Sequence, residues 1–325
     1  MKSSVLEYLR TSPHYVSGEE ISRKLTISRT AVWKHIRALR AEGYRIEARS
    51  RLGYRLLAEP DLVAPEAVQP GLKTAFCGRN YVYRPTLSST NDHAKEWARR
   101  GAPEGTTVVA EEQSGGRGRL GRNWVSPRGG LWFSVVLRPP LPSARAPEAV
   151  FVAAVAGVDA LAAYPGIQAG LKWPNDFVWR GLKLGGILTE VTGELDRINH
   201  LVVGMGLNVN LDQRDFPPEL RTRVVTVREI TGGDVLRPEL LRGLLTAMEH
   251  WYLVWLQQGF APVLAAWKRH NACLGRPLRV TTPEGELLGR AVDVDVDGAL
   301  LLDTAGGIRR VITGELHMER EGWAT

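Results

Sequence analysis

"EEQSGGRGRLGRNWVSP", residues 111–127, decides how the middle of the chain is read. Gly116, Gly118 and Gly121 spell G-x-G-x-x-G, the spacing of a dinucleotide-binding turn, yet Arg117, Arg119 and Arg122 are set among them. A dinucleotide turn needs a strand before its glycines and a helix directly after them. "TTVVAEEQ" (106–113) reads as that strand, but "NWVSPRGGLWFSVVLRP" (123–139) is a Pro/Gly loop running into a second strand. No Lys-Ser/Thr pair follows the last glycine, so a P-loop is excluded too. The segment still points to an anion, because glycines admit backbone N–H groups to a ligand and guanidinium forks match carboxylate and phosphate oxygens. A solvated basic surface loop is the alternative.

Three further patches are dense in the same way. "LKWPNDFVWRGLKLGGILTE" (171–190) places Asn175 and Asp176 at a strand end or turn after Trp173-Pro174, then Lys183 on a short strand before Gly185 and Gly186. A lone lysine is usually a surface residue; one between such a turn and a Gly-Gly strand is better explained as a ligand contact. "LVVGMGLNVN" (201–210) is a buried-looking strand bearing Asn208, and "LSSTNDHAKEWARRG" (87–101) offers Ser89 and Thr90 as helix caps with Gly101 as the stop.

The net charge of +7 lies at one end. Residues 1–57 hold 12 Lys/Arg against 5 Asp/Glu, and the remainder carries 30 of each sign. A nucleic-acid partner is therefore sought at the N-terminus. There Ser17 and Glu20 have capping-box spacing ahead of one short helix, and Ser28 caps a second that ends at Gly43. Val32, Ile36 and Leu39 make the second helix's apolar stripe, leaving Arg29, Thr30, Trp33, Lys34, Arg37 and Arg40 on or near its outer face. "YRIEARS" and "GYRLL" follow as two strands of a wing. Helix, tight turn and basic helix are the arrangement that enters a major groove. Base choice is assigned to Arg29, Thr30, Trp33 and Lys34, with Ser28 and Arg37 beside them and phosphate contacts from Arg49, Arg51 and Arg55. A protein-binding winged helix or a solvated basic face is the alternative. "LLAEPDLVAPEAVQPGL" (56–72) reads as a linker or domain edge, and dividing the chain at 1–62, 63–272 and 273–325 gives three domains.

At the other end, "PELLRGLLTAMEHWYLVWLQQG" and "FAPVLAAWKRHNACLG" read as core helices, and four short strands from about residue 275 as a small barrel. "DVDVDG" (293–298) begins like a calcium loop, but the twelfth position is Thr304, so a half-exposed strand is expected and no metal site. Cys77 and Cys273 lie far apart and imply neither a disulfide framework nor a metal cluster. No apolar run is long enough to cross a membrane and the N-terminus has no signal-peptide core; a cytoplasmic protein is expected.

"GGRGRLGR", "KWPND" with "KLGGILTE", "GMGLNVN" and the "SSTN" helix start, in this order, resemble the biotin protein ligases. With "SRTAVWKHI" the chain is similar over nearly its whole length to the bifunctional biotin ligase and biotin-operon repressor class. Lipoate ligases share the central fold but lack this arginine loop and the KWPND turn. The resemblance implies an α+β multidomain fold: a winged helix-turn-helix, a mixed α/β class II synthetase-like ligase domain and an SH3-like β-barrel. It implies a ligase that joins biotin to ATP with Mg²⁺, giving biotinyl-5′-AMP, and passes biotin to a lysine of a biotin carboxyl carrier domain. Arg119, Lys183 and Asp176 match the catalytic positions, Asp176 helping to hold Mg²⁺ or to orient the attacking lysine. Ser89, Thr90, Asn91, Gln113, Gly116, Arg117, Arg119, Lys183 and Gly186 match biotin contacts. Arg119, Arg122, Trp124, Asn175, Asp176 and Asn208 match nucleotide contacts. It implies operator DNA as a partner, and a homodimer formed through edge strands near "GGLWFSVVLRP". A DNA-binding sensor without transfer activity, or a ligase with a silent DNA domain, is the competing reading. Leu120 and the short "RGGLW" connection depart from the family pattern.

Overall fold

The computed structural model describes residues 1–318. The chain folds as two compact units, Met1–Leu62 and Val63–Thr325.

The first unit contains helices α1 (Lys2–Arg10), α2 (Gly18–Leu25) and α3 (Arg29–Ala41) and the antiparallel wing strands β1 (Arg45–Arg49) and β2 (Gly53–Ala58). Ser28 Oγ accepts from Ala31 N–H at 3.1 Å, fixing the start of α3, and Val32, Ile36 and Leu39 face the core as their spacing predicts. Ser17 Oγ accepts from Glu20 N–H at 3.0 Å. The expected return half of the box is not formed: the Glu20 carboxylate accepts the Tyr8 hydroxyl at 2.9 Å instead. That tyrosine belongs to α1, which sequence periodicity did not single out and which contributes Val5, Leu6 and Leu9 to the core. Val16 and Tyr54 exchange backbone hydrogen bonds at 2.9 and 2.8 Å, adding a third rung to the wing. Gly53 sits there at φ +110°, and a side chain on it would overlap the Val16 carbonyl.

The second unit runs α4 (Pro65–Val68), β3 (Tyr81–Leu87), α5 (Thr90–Arg99), β4 (Thr107–Gln113), β5 (Leu131–Leu137), α6 (Glu148–Leu161), β6 (Gly170–Lys172), β7 (Asp176–Trp179), β8 (Leu182–Gly193) and β9 (Ile198–Leu207). It continues with α7 (Pro218–Arg221), α8 (Val227–Thr231), α9 (Arg237–Gln258), α10 (Phe260–Arg269), β10 (Pro277–Thr282), β11 (Gly285–Val294), β12 (Leu300–Thr304), β13 (Gly307–Val311) and β14 (Glu315–Met318). Strands β3–β9 form a seven-stranded sheet of order β3-β4-β5-β9-β8-β7-β6, antiparallel except for the β3–β4 pair. Helix α6 is apolar on all sides and buried along nearly its whole length, the signature of a helix covered on both flanks. It shares its core with the sheet, α9 and α10, while α5 covers the opposite face through Ala94 and Ala98.

Several expectations change. Strand β5 is no edge: it pairs with β4 and β9 and is buried at every position, so a dimer cannot form by adding a strand to "GGLWFSVVLRP". A continuous apolar run is what burial on both faces produces. The 56–72 stretch is linker only in part, because Val63, Val68 and Leu72 enter the main core. Among the described residues the C-terminal strands number five, not four, in order β13-β12-β11-β10-β14, because "GIRRVITGEL" breaks after Val311. The sheet's Leu278, Val280, Ala291, Val294, Leu300 and Leu302 join the hydrophobic cluster that holds α6. In "DVDVDG" the strand ends at Val294. Asp295 turns back to accept from Ala299 N–H at 2.9 Å and pairs with Arg310 at 2.5 Å, leaving Val296 in solvent.

Candidate functional site

A cavity of about 280 Å³ opens between the middle of the large sheet, the start of α5 and residues 117–125. Ser89, Thr90, Asn91, Gln113, Arg117, Arg119, Arg122, Trp124, Asn175, Asp176, Lys183, Gly186 and Asn208 all line it, so thirteen of the fourteen residues expected to bind small molecules meet there. Gly116 does not. It forms the neck of the arginine loop, its carbonyl accepting from Trp124 N–H at 2.9 Å, and a Cβ on it would lie 2.5 Å from Ser126 Oγ and from the Trp124 carbonyl.

The loop is a short hairpin excursion from β4. Gln113 bridges Ser126 and Arg117 bridges Asn123, with one 3-10 turn, Arg119–Gly121, at its tip. Leu120 is left-handed there (φ 57°) and 72% exposed. Each arginine has a partner: Arg117 pairs with Asp92 and Arg122 with Glu315. Arg119 reaches Asn175 Oδ1 and the Gly314 carbonyl at 3.4 Å and Thr313 Oγ1 at 3.2 Å. Burial lowers the Arg119 pKa, as expected for a cation turned inward without its own carboxylate.

On the opposite wall the turn between β6 and β7 presents Asn175 and Asp176, and Lys183 Nζ lies 2.7 Å from Asp176 Oδ1 and 5.1 Å from the Trp124 ring centre. Asn175 Nδ2 donates to the Ile187 carbonyl at 2.7 Å, which fixes its oxygen toward Arg119. The Trp173 indole N–H donates to the Gly298 carbonyl at 3.0 Å, pinning this turn to the C-terminal sheet. Trp124 meets Trp132 edge-on and its own indole N–H is buried without a partner. The Asn208 amide nitrogen is spent structurally, donating to the carbonyls of Lys183 and Val225 at 3.3 Å.

The remaining wall is neutral. Thr90 N–H donates to Gln113 Oε1 at 2.7 Å, with Thr90 Oγ1 3.1 Å from the same oxygen, and Gln113 Nε2 donates to Ser126 Oγ at 2.9 Å. Asn91 Nδ2 donates to Glu190 at 2.8 Å and its oxygen accepts from Ser134 at 2.6 Å. Gly204 makes room for that amide, since a Cβ on it would overlap Asn91 Oδ1. The cavity thus juxtaposes a cationic half with a neutral donor–acceptor half. An arrangement of this kind holds a polar, uncharged ring at one end and reacting anions at the other.

Sequence reading missed Lys172, Phe216, Leu220, Val224 and Glu315, which also line the cavity. Burial, then neighbouring Lys183, pull the Lys172 pKa down against Asp176. Lys172 stands in the "KWPND" motif itself; the others lay outside every motif. Among the described residues no group of three or more His, Cys, Asp or Glu is arranged to hold a metal, and no helix is long and apolar enough to cross a membrane.

In the N-terminal unit, Arg29, Thr30, Trp33, Lys34 and Arg37 are exposed on α3, Arg37 lying 5.5 Å over the Trp33 ring. Ser28 is the cap. Arg49 and Arg55 flank Tyr15 at 5.1 and 4.8 Å and both pair with Glu47, so the wing's basic face is pre-ordered. Arg51 stands at the wing tip with φ 65°. Arg40 is committed internally, its guanidinium donating to the Ile46 carbonyl.

Comparison with known proteins gives the class. Residues 83–208 match the biotin/lipoate A/B protein ligase family, 2–55 an HTH domain and 273–316 the biotin protein ligase C-terminal domain. The bifunctional ligase/repressor BirA of Bacillus spizizenii is 39% identical over 312 residues, 96% of each chain; that of Escherichia coli is 30% identical over 315 residues, 95% of each. A biotin protein ligase from Aquifex aeolicus, solved in complex with biotin and ATP, superposes with a TM-score of 0.65 at 31% identity, over 75% of this chain and all of that one. The chain belongs to the family of bifunctional biotin ligase/repressors.

Proposed function

We propose that this protein activates biotin with ATP and transfers it to a lysine of a biotin carboxyl carrier domain, and that it represses biotin-synthesis genes in response to biotin. The observation that carries this is the single cavity in which Arg119, Lys183, Asp176 and Trp124 face the neutral Thr90–Asn91–Gln113 cluster. The ring of biotin takes the neutral end, where amide and hydroxyl groups pair with a ureido ring. A carboxylate oxygen then attacks the α-phosphorus of ATP, the bond to the β-phosphate breaks and pyrophosphate leaves. Arg119 and Lys183 offset the repulsion between the two anions, electrostatic work that needs no proton transfer. Trp124 and Asn175 hold the adenine side, with Arg122, Asn208 and Asp176 about the nucleotide. In the second half-reaction Asp176 orients the incoming lysine ammonium group, which gives up a proton to solvent; the neutral amine then attacks the acyl carbon, AMP departs and a second proton leaves the new amide nitrogen.

Mg²⁺ belongs to this reading as the counter-ion of ATP. Asp176 offers one carboxylate, a donor set suited to an ion shared with phosphate oxygens, and the bound ion neutralises triphosphate charge. Operator DNA, a homodimer and a cytoplasmic location complete the proposal. A sheet-to-sheet dimer has two open edges to use, the outer strand β3 and the second half of β8, where Leu188–Gly193 pair with β9 alone, while Leu171 of β6 is already bonded to the His270–Ala272 segment.

The test is incubation with biotin, Mg-ATP and a carrier domain, scored by label on the carrier lysine. No label on a competent carrier would leave a DNA-binding sensor as the reading. Label without retention of promoter DNA, even with adenylate bound, would leave a ligase whose DNA unit is silent.

A further inference from the structure

The cationic and neutral halves of the cavity are joined behind its wall. Arg117 pairs with Asp92; Lys95 Nζ lies 3.0 Å from Asp92 Oδ1 and 2.7 Å from Glu190 Oε1; Glu190 Oε2 accepts from Asn91 Nδ2 at 2.8 Å. The line runs on without a gap. Ser134 Oγ donates to Asn91 Oδ1 at 2.6 Å and lies 2.8 Å from Thr90 Oγ1, Thr90 N–H donates to Gln113 Oε1 at 2.7 Å, and Gln113 bonds Ser126 at the far foot of the arginine loop. The loop is tied to the start of α5 twice, by alternating charges at Arg117 and by neutral hydrogen bonds at Ser126.

Ordinary surface pairing does not explain this. An exposed ion pair is worth little, and a helix such as α5 needs no carboxylate from a distant strand to form. Here Asp92, Lys95 and Glu190 each serve two partners, and the last donor is a buried amide. The Asn91 oxygen is claimed by Ser134, so its Nδ2 must point at Glu190 and at the Leu188 carbonyl, 3.2 Å away. Both amide hydrogens are thereby used, and Asn91 can offer a ligand only a lone pair of its oxygen. Glu190 decides that presentation. Lys95 stands between two carboxylates, Asp92 and Glu190, and is the bond that joins the Arg117 end to the Asn91 end.

We propose that Glu190 and Lys95 are positioning residues that couple the neutral pocket to the arginine loop, so that a ring bound at Asn91 and Thr90 biases the Arg117–Asp92 contact and hence the posture of Arg119. This rests on the biotin reading of the neutral pocket. Neither residue touches the reacting atoms.

The experiment uses the full-length protein, with Lys95→Met, Glu190→Gln and the conservative Lys95→Arg. Calorimetry without ATP gives biotin affinity, trypsin cleavage in the arginine loop with and without biotin gives coupling, and release of preformed biotinyl-AMP gives retention. Lys95→Met leaves both end contacts in place, so biotin affinity should stay within about threefold. Biotin-dependent protection of the loop should vanish and adenylate should escape about tenfold faster. Lys95→Arg should restore both, and Glu190→Gln should lose coupling and weaken biotin as well. Wild-type protection and retention in Lys95→Met would overturn the inference, as would a loss that merely tracks a lower melting temperature in all three variants. Failure of the wild type to bind biotin would instead remove the reading on which the coupling rests.

Discussion

The two units use basic residues in opposite ways. In Met1–Leu62 the excess charge stands outward on regular elements, with Arg29, Lys34 and Arg37 exposed along one helix. From residue 58 onward the charges balance, and the arginines that matter sit on an irregular loop, half-covered and partnered. Net charge therefore locates a surface that meets a polyanion by diffusion. It says nothing of a cavity where cations are held in place for a small anion, since there the compensating acids cancel the count. Placement, not excess, marks the second site.

The sharpest break of this contrast is at Arg237–Glu111. The pair is 2.8 Å apart with side chains 3% and 1% exposed, and the same guanidinium donates to the Gly130 carbonyl, while Glu111 also accepts from Val63 N–H and the Tyr83 hydroxyl. Removing one partner strands a buried charge, so Arg237→Met should cost about 3–5 kcal/mol in denaturant unfolding. Arg37→Ala, on the exposed helix, should stay within about 0.5 kcal/mol. Equal losses would show that the charges of the two units are not different in kind. Next in size is Arg119→Ala. Loss of one positioned donor should slow adenylate formation about 10²–10³-fold, followed by pyrophosphate exchange, and adenylate that does form should leak. Unchanged formation and retention would refute the role given to that guanidinium.

How much of this was legible in the sequence differs between the units for the same reason. Caps, apolar stripe and wing of the first unit are local, so Ser17, Ser28 and Val32–Leu39 could be read in order; the Tyr8–Glu20 bond joins α1 to α2 and could not. In the second unit, motif residues came together as expected because glycine turns and the KWPND bend announce themselves. Glu315, nearly two hundred residues from Arg122, and the Phe216–Leu220–Val224 wall carry no local pattern, and only folding brings them in. The edge that the resemblance implied near β5 could not be checked in the sequence for the same reason. An apolar run identifies a strand but not its neighbours, and burial on both faces, not an edge, is what it signifies.

A smaller effect tests the first unit directly. If α3 and the wing grip DNA, Arg51→Ala should weaken all sequences alike and lower the slope of log affinity against log salt by about 1. Lys34→Ala should instead relax base choice by about 1–3 kcal/mol at one position. Gel-shift titration over a salt series separates them, and a flat salt response in the wild type would mean that the basic face is merely solvated.

The smallest effect belongs to the exposed end of the cavity. Hydrogen bonding from Arg122 holds the Glu315 carboxyl below its ordinary value, only partly opposed by burial. A carboxylate whose folded pKa is depressed adds stability that is fully present above the unfolded value, about 4.3 for glutamate, and lost as pH falls through the lower folded value. The latch between loop and C-terminal sheet is therefore intact at neutral pH and opens only under acid. Glu315→Gln should remove this dependence, lowering the melting temperature slightly at pH 7 and converging with the wild type at low pH. Because both side chains are substantially exposed, 57% and 31%, screening keeps the difference small, and added salt should shrink it further. A difference that grew under acid would have the wrong sign and would assign Glu315 some partner other than Arg122.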